Sequence, residues 1–302
     1  MQTASGVFAR LEDLIAGTDV PDAARSFLVG LAGRGIQRSR SPVMHELEGA
    51  RLGMPYRYAL IDFDRLAFSD SDLTEVVVAA EALGFAGLNI THPFKQDVIP
   101  LLTDLSPEAA AIGAVNTVVF ADDRRTGHNT DSWGFARSFR EGMPGCPLRR
   151  VLQLGAGGAG AAVAHALLDL GAETLLLYDT DPKRSAALAA GLSQRRGVKA
   201  APLTSLDGLA GQVDGIVNTT PVGMAKYPGL PVPPEMLETH PWVAEIVYFP
   251  QETELLVLAR ALGCRTLSGT GMAIYQAVRA FELFTGVAPD PEAMARHFAA
   301  AA

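Results

Sequence analysis

The segment that most restricts the fold of this 302-residue chain runs from Val151 to Leu170. Val151-Leu152-Gln153-Leu154 reads as a short apolar strand, and Gly158 to Leu170 reads as a helix. Between strand and helix lies Gly155-Ala156-Gly157-Gly158-Ala159-Gly160, which fits G-x-G-x-x-G at Gly155, Gly157 and Gly160. Strand, glycine turn and helix in that order open a dinucleotide-binding βαβ unit. Gly155 permits the tight turn, Gly157 lets backbone approach a pyrophosphate, and Gly160 lets helix and strand pack closely. The helix start offers free N–H groups to the anion. The competing reading is a glycine turn that only packs, and the flanking strand and helix weigh against it. The next strand, Thr174 to Tyr178, is followed by Asp179. A carboxylate there hydrogen-bonds a ribose 2′-hydroxyl and repels a 2′-phosphate, which favours NAD over NADP. Lys183 and Arg184 follow one turn later, either as solvated helix charges or as groups that soften that preference.

The rest of the chain alternates in the same way. Residues 1–24 read as a helical extension with Leu11, Leu14 and Ile15 on one face. A strand is expected over Ser26 to Leu31, then a helix from Pro42 to Leu52, with Ser41 as N-cap and Gly53 as stop. Strands follow at Tyr56–Ile61, Gly87–Ile90 and Val115–Phe120, with a helix at Leu73–Leu83. Past the glycine loop come a helix from Pro182 to Leu192, strands at Asp214–Asn218 and Trp242–Val247, and a helix at Glu252–Leu262. The last helix, Met272 to Phe284, carries Ile274, Val278, Phe281 and Phe284 on one face. This pattern predicts an α/β protein of two domains: an N-terminal α/β substrate domain and a C-terminal Rossmann-type, doubly wound dinucleotide-binding domain. The break is expected between Asn129 and Arg150, where Gly142, Pro144, Gly145 and Pro147 cluster.

Composition narrows the function classes. Thirty-three acidic residues against 25 basic ones give a net charge of −8, which disfavours nucleic-acid binding. The two cysteines, Cys146 and Cys264, make no disulfide framework, and the scattered histidines give no metal-ligand spacing. No apolar run is long enough for a membrane span and no targeting segment is recognisable, so a cytoplasmic protein is expected.

The N-terminal half must supply the reaction, because a dinucleotide fold alone does not define one. Asn89-Ile90-Thr91-His92-Pro93-Phe94-Lys95-Gln96 places a lysine at a strand's C-terminal end, where open α/β sheets bind ligands. On its own, such a lysine is more often a solvated surface lysine. Gly113-Ala114-Val115-Asn116-Thr117 and Gly127-His128-Asn129-Thr130-Asp131 are rich in turn formers, and Asp131 alone would be a helix N-cap or turn residue.

Together these stretches resemble the shikimate/quinate dehydrogenase family. The resemblance is carried by Ser39-Arg40-Ser41-Pro42, Asn89 to Lys95, Gly113 to Thr117, Asn129-Thr130-Asp131 and the glycine loop. It continues through Asn218-Thr219-Thr220-Pro221-Val222-Gly223-Met224 to Gly269–Gln276, in family order from residue 28 to 289. It implies a substrate domain of residues 1–131, with 272–302 returning to it, and a cofactor domain of residues 132–271. It further implies reversible oxidation of a ring hydroxyl of shikimate or quinate, with hydride passing to NAD or NADP. Lys95 matches the catalytic lysine and Asp131 its partner aspartate. Asn116 would meet neighbouring ring hydroxyls, Ser39 and Ser41 the substrate carboxylate, and Thr91, Tyr248 and Gln276 would complete the pocket. Asn218, Thr219, Met224 and the backbone of Gly271 would join residues 155–160 and Asp179 at the cofactor, with Met272 as apolar packing near the nicotinamide. No metal is implied, and the family includes monomers and dimers.

Details separate the branches. Tyr178-Asp179-Thr180-Asp181 stands where biosynthetic shikimate enzymes usually carry Asn-Arg-Thr-x-x-x-Arg for a 2′-phosphate. His92, His128 and the block from Val247 to Leu256 look like the NAD-linked quinate/shikimate branch. Ser39-Arg40-Ser41 instead suits the biosynthetic pattern, since that branch often has Ser-x-Thr. The alternatives are an NADP-linked biosynthetic enzyme, a paralogue for another cyclohexane-carboxylate, and a non-catalytic dinucleotide sensor.

Overall fold

The computed structural model describes residues 6–16, 27–194 and 198–300. Of the expected N-terminal extension, residues 1–5 and 17–24 lie outside this set, as does Ser26. In chain order the first elements are α1 (Gly6–Ala16), β1 (Phe27–Gly33), α2 (Ser41–Arg51), β2 (Tyr56–Asp62), α3 (Leu73–Ala82) and β3 (Gly87–Ile90). Next come β4 (Asp104–Leu105), α4 (Pro107–Ile112), β5 (Thr117–Ala121), β6 (Arg124–His128) and α5 (Thr130–Gly142). The glycine loop joins β7 (Arg150–Leu154) to α6 (Gly158–Asp169), followed by β8 (Thr174–Tyr178), α7 (Pro182–Ser193) and β9 (Lys199–Leu203). The chain ends with β10 (Gly215–Asn218), β11 (Trp242–Glu245), α8 (Glu254–Ala261), β12 (Thr266–Leu267), α9 (Thr270–Thr285) and α10 (Pro291–Ala300).

The chain divides into two units. One holds residues through Thr130 together with Ala277 onward; the other holds Asp131–Gln276. The first unit is built on a mixed sheet in the order β2-β1-β3-β5-β6-β4. Strands β2, β1 and β3 are parallel, while β5 runs antiparallel to β3 and to β6. Its strands bury Val29, Leu31, Leu88 and Ile90, the near-continuous apolar pattern of a sheet covered on both faces. One side packs on Val7 and Leu11 of α1 and on α3; the other packs on Phe281 and Phe284 of α9. The second unit is a six-stranded parallel sheet in the order β12-β11-β10-β7-β8-β9, the doubly wound dinucleotide-binding order.

Several boundaries differ from expectation for physical reasons. Helix α2 begins at Ser41, so its N-cap is Arg40 and not Ser41. The stretch taken as a break contains α5, whose Phe135, Ala136 and Phe139 fall at helical spacing and are buried. The glycine and proline cluster marks only its end. Strand β11 stops at Glu245, because the Val247 N–H turns back to the Glu245 carboxylate at 2.9 Å. Short elements with weak patterns, such as β4, β9 and β12, had no expected counterpart, nor did α10.

The loop after β1 is shaped by one carboxylate. Asp62, buried at the end of β2, accepts from Gly35 N (3.1 Å), Ile36 N (3.2 Å), Gln37 Nε2 (2.9 Å) and Asp64 N (3.1 Å). Burial works to raise its pKa, but the Gln37 side chain and the three amides prevail and hold it below 3.8. A depressed carboxylate stabilises the fold above its unfolded pKa and loses that contribution as pH falls through the folded value. Asp62→Asn is therefore expected to cost about 1–3 kcal/mol at pH 7. Denaturant titration should show the gap to the parent closing below pH 3.8; a gap constant from pH 7 to pH 3 contradicts the assignment.

Candidate functional site

In the second unit the strand order reverses between β7 and β10, and open α/β sheets bind ligands at the carboxyl ends of strands at such a point. The glycine loop leaves β7 there. Gly155 has φ +94°, and a Cβ on it would lie 2.7 Å from Thr219 Oγ1, beyond the end of β10. A Cβ on Gly160 would meet the Gly155 carbonyl at 2.5 Å. Both glycines are thus required by contacts inside the protein. Gly157 differs: a Cβ there meets nothing within 4 Å, and its φ of −78° is open to any residue. Gly157 is also the N-cap of α6, with no side chain to occupy the first N–H groups. The internal packing does not explain this glycine, and a bare N-cap leaves the first N–H groups of α6 open to an anion.

Two polar residues brace the loop from below. Gln153 Nε2 donates to the carbonyls of Gly155 and Gly160, each at 2.9 Å. Thr219 Oγ1 donates to the carbonyls of Leu154 (2.7 Å) and Gly155 (3.0 Å). Asp179 closes the loop from the side, accepting from Ala156 N at 2.7 Å and from Asp181 N at 2.9 Å. Asp181 caps α7 through Lys183 N and lies 3.7 Å from the Arg184 guanidinium.

Further along the same edge, Asn218 organises residues 218–224. Its Oδ1 accepts from Thr220 N (3.0 Å) and Thr220 Oγ1 (2.7 Å), and its Nδ2 donates to Val222 O (2.9 Å) and the Glu245 carboxylate. The side chains of Asn218 and Thr219, expected at the cofactor, are therefore buried and engaged in building the two loops. Burial raises the Glu245 carboxyl to about 7 against the hydrogen bonds from Asn218, Val247 and Thr253. Met224 and Tyr248 are exposed on the loops beside it, whereas Met272 is core packing against Phe135 and Phe139. Gly271 admits α9 against Ser138, whose Oγ a Cβ would strike. Gln276 donates to Ala273 O at 3.0 Å within α9, and Asp131 is buried in the first turn of α5.

The first unit has its own reversal, between β1 and β3. Gly33 at the end of β1 lies against Thr91 at the end of β3, and Thr91 N donates to Ala32 O at 3.0 Å. The segment after β3 is pinned by Phe94, fully buried with its ring 4.4 Å from that of Phe63. The next residue, Lys95, is half-buried, and its carbonyl accepts from Val115 N at 2.8 Å. Ser39 Oγ accepts from Ser41 N at 3.3 Å, so both serines sit at the start of α2. Asn116 is buried and bonded to Thr130: Nδ2 to Thr130 Oγ1 at 2.9 Å, and Thr130 N to Oδ1 at 2.8 Å. Behind it, Asn89 accepts from Tyr58 Oη (2.8 Å) and donates to Thr117 Oγ1 (2.9 Å). Thr91, Lys95, Ser39, Ser41 and Asn116 thus all belong to this unit, while Asp131, Tyr248 and Gln276 belong to the other.

The bracing residues Asp62, Asn89, Gln153, Thr130 and Glu245 were not singled out from sequence. The available signal was a polar residue inside an apolar run, as in Val151-Leu152-Gln153-Leu154 and Trp242-Val243-Ala244-Glu245. A strand buried on both faces keeps such a residue only when it is hydrogen-bonded. Among the described residues, no group of three or more His, Cys, Asp or Glu is arranged to hold a metal ion, and no helix is long and apolar enough to cross a membrane.

Residues 31–118 match the shikimate dehydrogenase substrate binding domain, and residues 269–297 match the shikimate 5′-dehydrogenase C-terminal domain. The chain is 57% identical over 268 residues to a protein of Streptomyces avermitilis named shikimate dehydrogenase (NADP(+)), covering 88% of this chain and 92% of that one. It is 48% identical over 277 residues to the quinate/shikimate dehydrogenase (NAD(+)) of Corynebacterium efficiens, covering 90% and 98%. The structure of quinate dehydrogenase from Corynebacterium glutamicum in complex with NAD superposes with a TM-score of 0.85 at 47% identity, covering 91% of this chain and 99% of that chain. With two domain families matched in order and relatives of this identity along nearly its whole length, the chain belongs to the shikimate/quinate dehydrogenase family.

Proposed function

We propose that this protein is an NAD-preferring dehydrogenase that reversibly oxidises a ring hydroxyl of shikimate and/or quinate to the 3-dehydro ketone. The observation that carries the cofactor preference is Asp179, at the end of β8 with its carboxylate against the glycine loop. Each of its oxygens accepts one backbone N–H, and a carboxylate oxygen has a second acceptor position for a ribose hydroxyl. A 2′-phosphate would instead meet this carboxylate, a like-charge encounter. The residues present fit a nicotinamide dinucleotide: an uncapped helix start, a glycine without internal cause and a carboxylate at the ribose position.

When bound, NAD supplies the hydride acceptor. The chain supplies the rest. Loss of hydride from the carbinol carbon must be matched by loss of the hydroxyl proton, and Lys95 as the amine accepts it; in the reverse direction Lys95 returns it. Asp131 is the carboxylate that hydrogen-bonds the reacting hydroxyl. Ser39 and Ser41, at the N-terminus of α2, receive the substrate carboxylate on hydroxyls and helix N–H groups. Asn116, already fixed by Thr130, meets a ring hydroxyl, and Thr91, Tyr248 and Gln276 complete recognition. The reading includes a cytoplasmic location and a monomer or homodimer.

The 57% identity to a protein named for NADP favours a second reading, an NADP-linked shikimate dehydrogenase. An initial-rate grid of shikimate and quinate against NAD and NADP separates the two. The expected result is turnover with faster rates on NAD at equal subsaturating cofactor; faster turnover on NADP selects the second reading, and no turnover on either acid refutes both. Asp179→Ser should narrow the NAD/NADP ratio, and an unchanged ratio counts against its role. Lys95→Ala should lower kcat by at least ~10²-fold with a smaller change in KM; near-normal kcat refutes proton transfer by Lys95.

A further inference from the structure

At the carboxyl edge of the second unit, two loops carry exposed residues that the family resemblance assigns to the ligands: residues 218–224 with Met224, and residues 246–253 with Tyr248. One side chain holds both. Glu245 is buried at the end of β11, and Asn218 Nδ2 donates to its two oxygens at 2.9 and 3.0 Å. Asn218 in turn bonds Thr220 and Val222, so the first loop is wound around an amide fixed on Glu245. The second loop reaches the same carboxylate by Val247 N (2.9 Å) and by the Thr253 hydroxyl (3.2 Å), and Thr253 is the N-cap of α8. The loops also touch over it. A Cβ on Gly223, which has φ +105°, would lie 3.2 Å from Thr253 Cγ2 and 3.6 Å from Glu245 Oε2.

We infer that Glu245 is a positioning residue for the cofactor, a single anchor that sets residues 218–224 and 246–253 relative to one another. The inference rests on the reading of this unit as a nicotinamide dinucleotide site. An aliphatic residue of the same size would satisfy the apolar neighbours of β11 but leave the Val247 N–H and one of the two Asn218 amide N–H groups buried without an acceptor, the other keeping Val222 O, which costs more than the bonds themselves contribute. The carboxylate is retained in an apolar strand although burial drives its pKa up to about 7. A carboxylate has enough acceptor positions for all three donors, whereas a glutamine offers one acceptor oxygen and sets its own NH₂ against that of Asn218.

The test is NADH binding, followed by the fluorescence of the reduced nicotinamide, on the full chain. The parent protein should bind NADH; absence of binding overturns the dinucleotide reading and the anchor with it. Glu245→Gln, shown folded by circular dichroism, should weaken NADH by about tenfold, the equivalent of one charge-assisted hydrogen bond. Thr220→Val, which disturbs the first loop alone, should also weaken NADH, and its effect should largely vanish in the Glu245→Gln background, because coupled residues are not additive. If Glu245→Gln fails to fold, the second loop carries the test: Thr253→Val should weaken NADH, and Thr253→Ser, which keeps the hydroxyl, should restore it. Binding by Glu245→Gln within twofold of the parent overturns the anchor while leaving the dinucleotide reading intact. So does full additivity of Glu245→Gln and Thr220→Val, or equal binding by the Thr253 variants.

Discussion

The second unit depends on how closely the end of β7 approaches the end of β10. Gly155 lies against the Thr219 backbone and hydroxyl, and Gly160 lies against the Gly155 carbonyl. Any side chain at either glycine would separate the two strands at their carboxyl ends, where the sheet order reverses. The Thr219 hydroxyl and the Gln153 amide use this proximity, donating to four carbonyl bonds around the loop. Of the three carbonyls that receive them, that of Gly155 lies in the turn between β7 and α6, outside any ladder, where it would otherwise be an unpaired acceptor. The loop is therefore preformed, and its N–H groups are presented without the entropy cost of ordering a flexible segment on binding.

The first unit solves a similar problem with different residues. Its reversal lies between β1 and β3, and Gly33 packs on Thr91 as Gly155 packs on Thr219. Here the loops are held by side chains from neighbouring strands. Asp62 gathers the amides after β1, and the Tyr58–Asn89–Thr117–Asn116–Thr130 hydrogen bonds run beneath the strand ends. In both units a buried carboxylate closes a strand: Asp62 on β2 and Glu245 on β11. The directions of their pKa shifts are opposite, because Asp62 receives enough backbone and amide donors to overcome burial and Glu245 does not.

These differences explain what was legible in the sequence. Gly87–Ile90 and Thr174–Tyr178 match their expected strands residue for residue, because each is a short apolar run between turn signals. The glycine loop was legible because its regular spacing follows a strand. Helix α5 was lost, although Phe135, Ala136 and Phe139 carry its period, because the nearby Gly142–Pro147 cluster marked the segment as a linker. Ser41 was placed as an N-cap because serine before proline is the usual pattern. Arg40 instead takes helical φ and ψ at that place, and the capping oxygen comes from Ser39. Residues such as Gln153 and Asn89 act through backbone carbonyls and side chains from other strands, and no local pattern encodes such partners. Lys95 drew attention by its place after a strand, but its role and that of Asp131 came only through the family resemblance, since each alone is an ordinary lysine or turn aspartate.

The charge balance follows from the same division of labour. Both proposed ligands are anions, yet the chain carries −8. Four of its arginines are paired within the fold: Arg34 to Asp64 and Asp70, Arg51 to the buried Glu48, Arg125 to Glu81, Arg149 to Asp214. In the proposed reading, recognition of the anions falls instead to N–H groups at the starts of α2 and α6 and to serine hydroxyls. Those dipoles are fixed by the backbone and need no compensating carboxylate nearby. A guanidinium at the ribose would favour the extra phosphate of NADP, and Arg184, five residues after Asp179, is drawn toward Asp181 across the first turn of α7. Exposed pairs of that kind hold only ~0–1 kcal/mol. The pairing therefore opposes recruitment of Arg184 weakly, and in the proposed reading the discrimination between the two cofactors falls to the carboxylate of Asp179, fixed on two backbone amides.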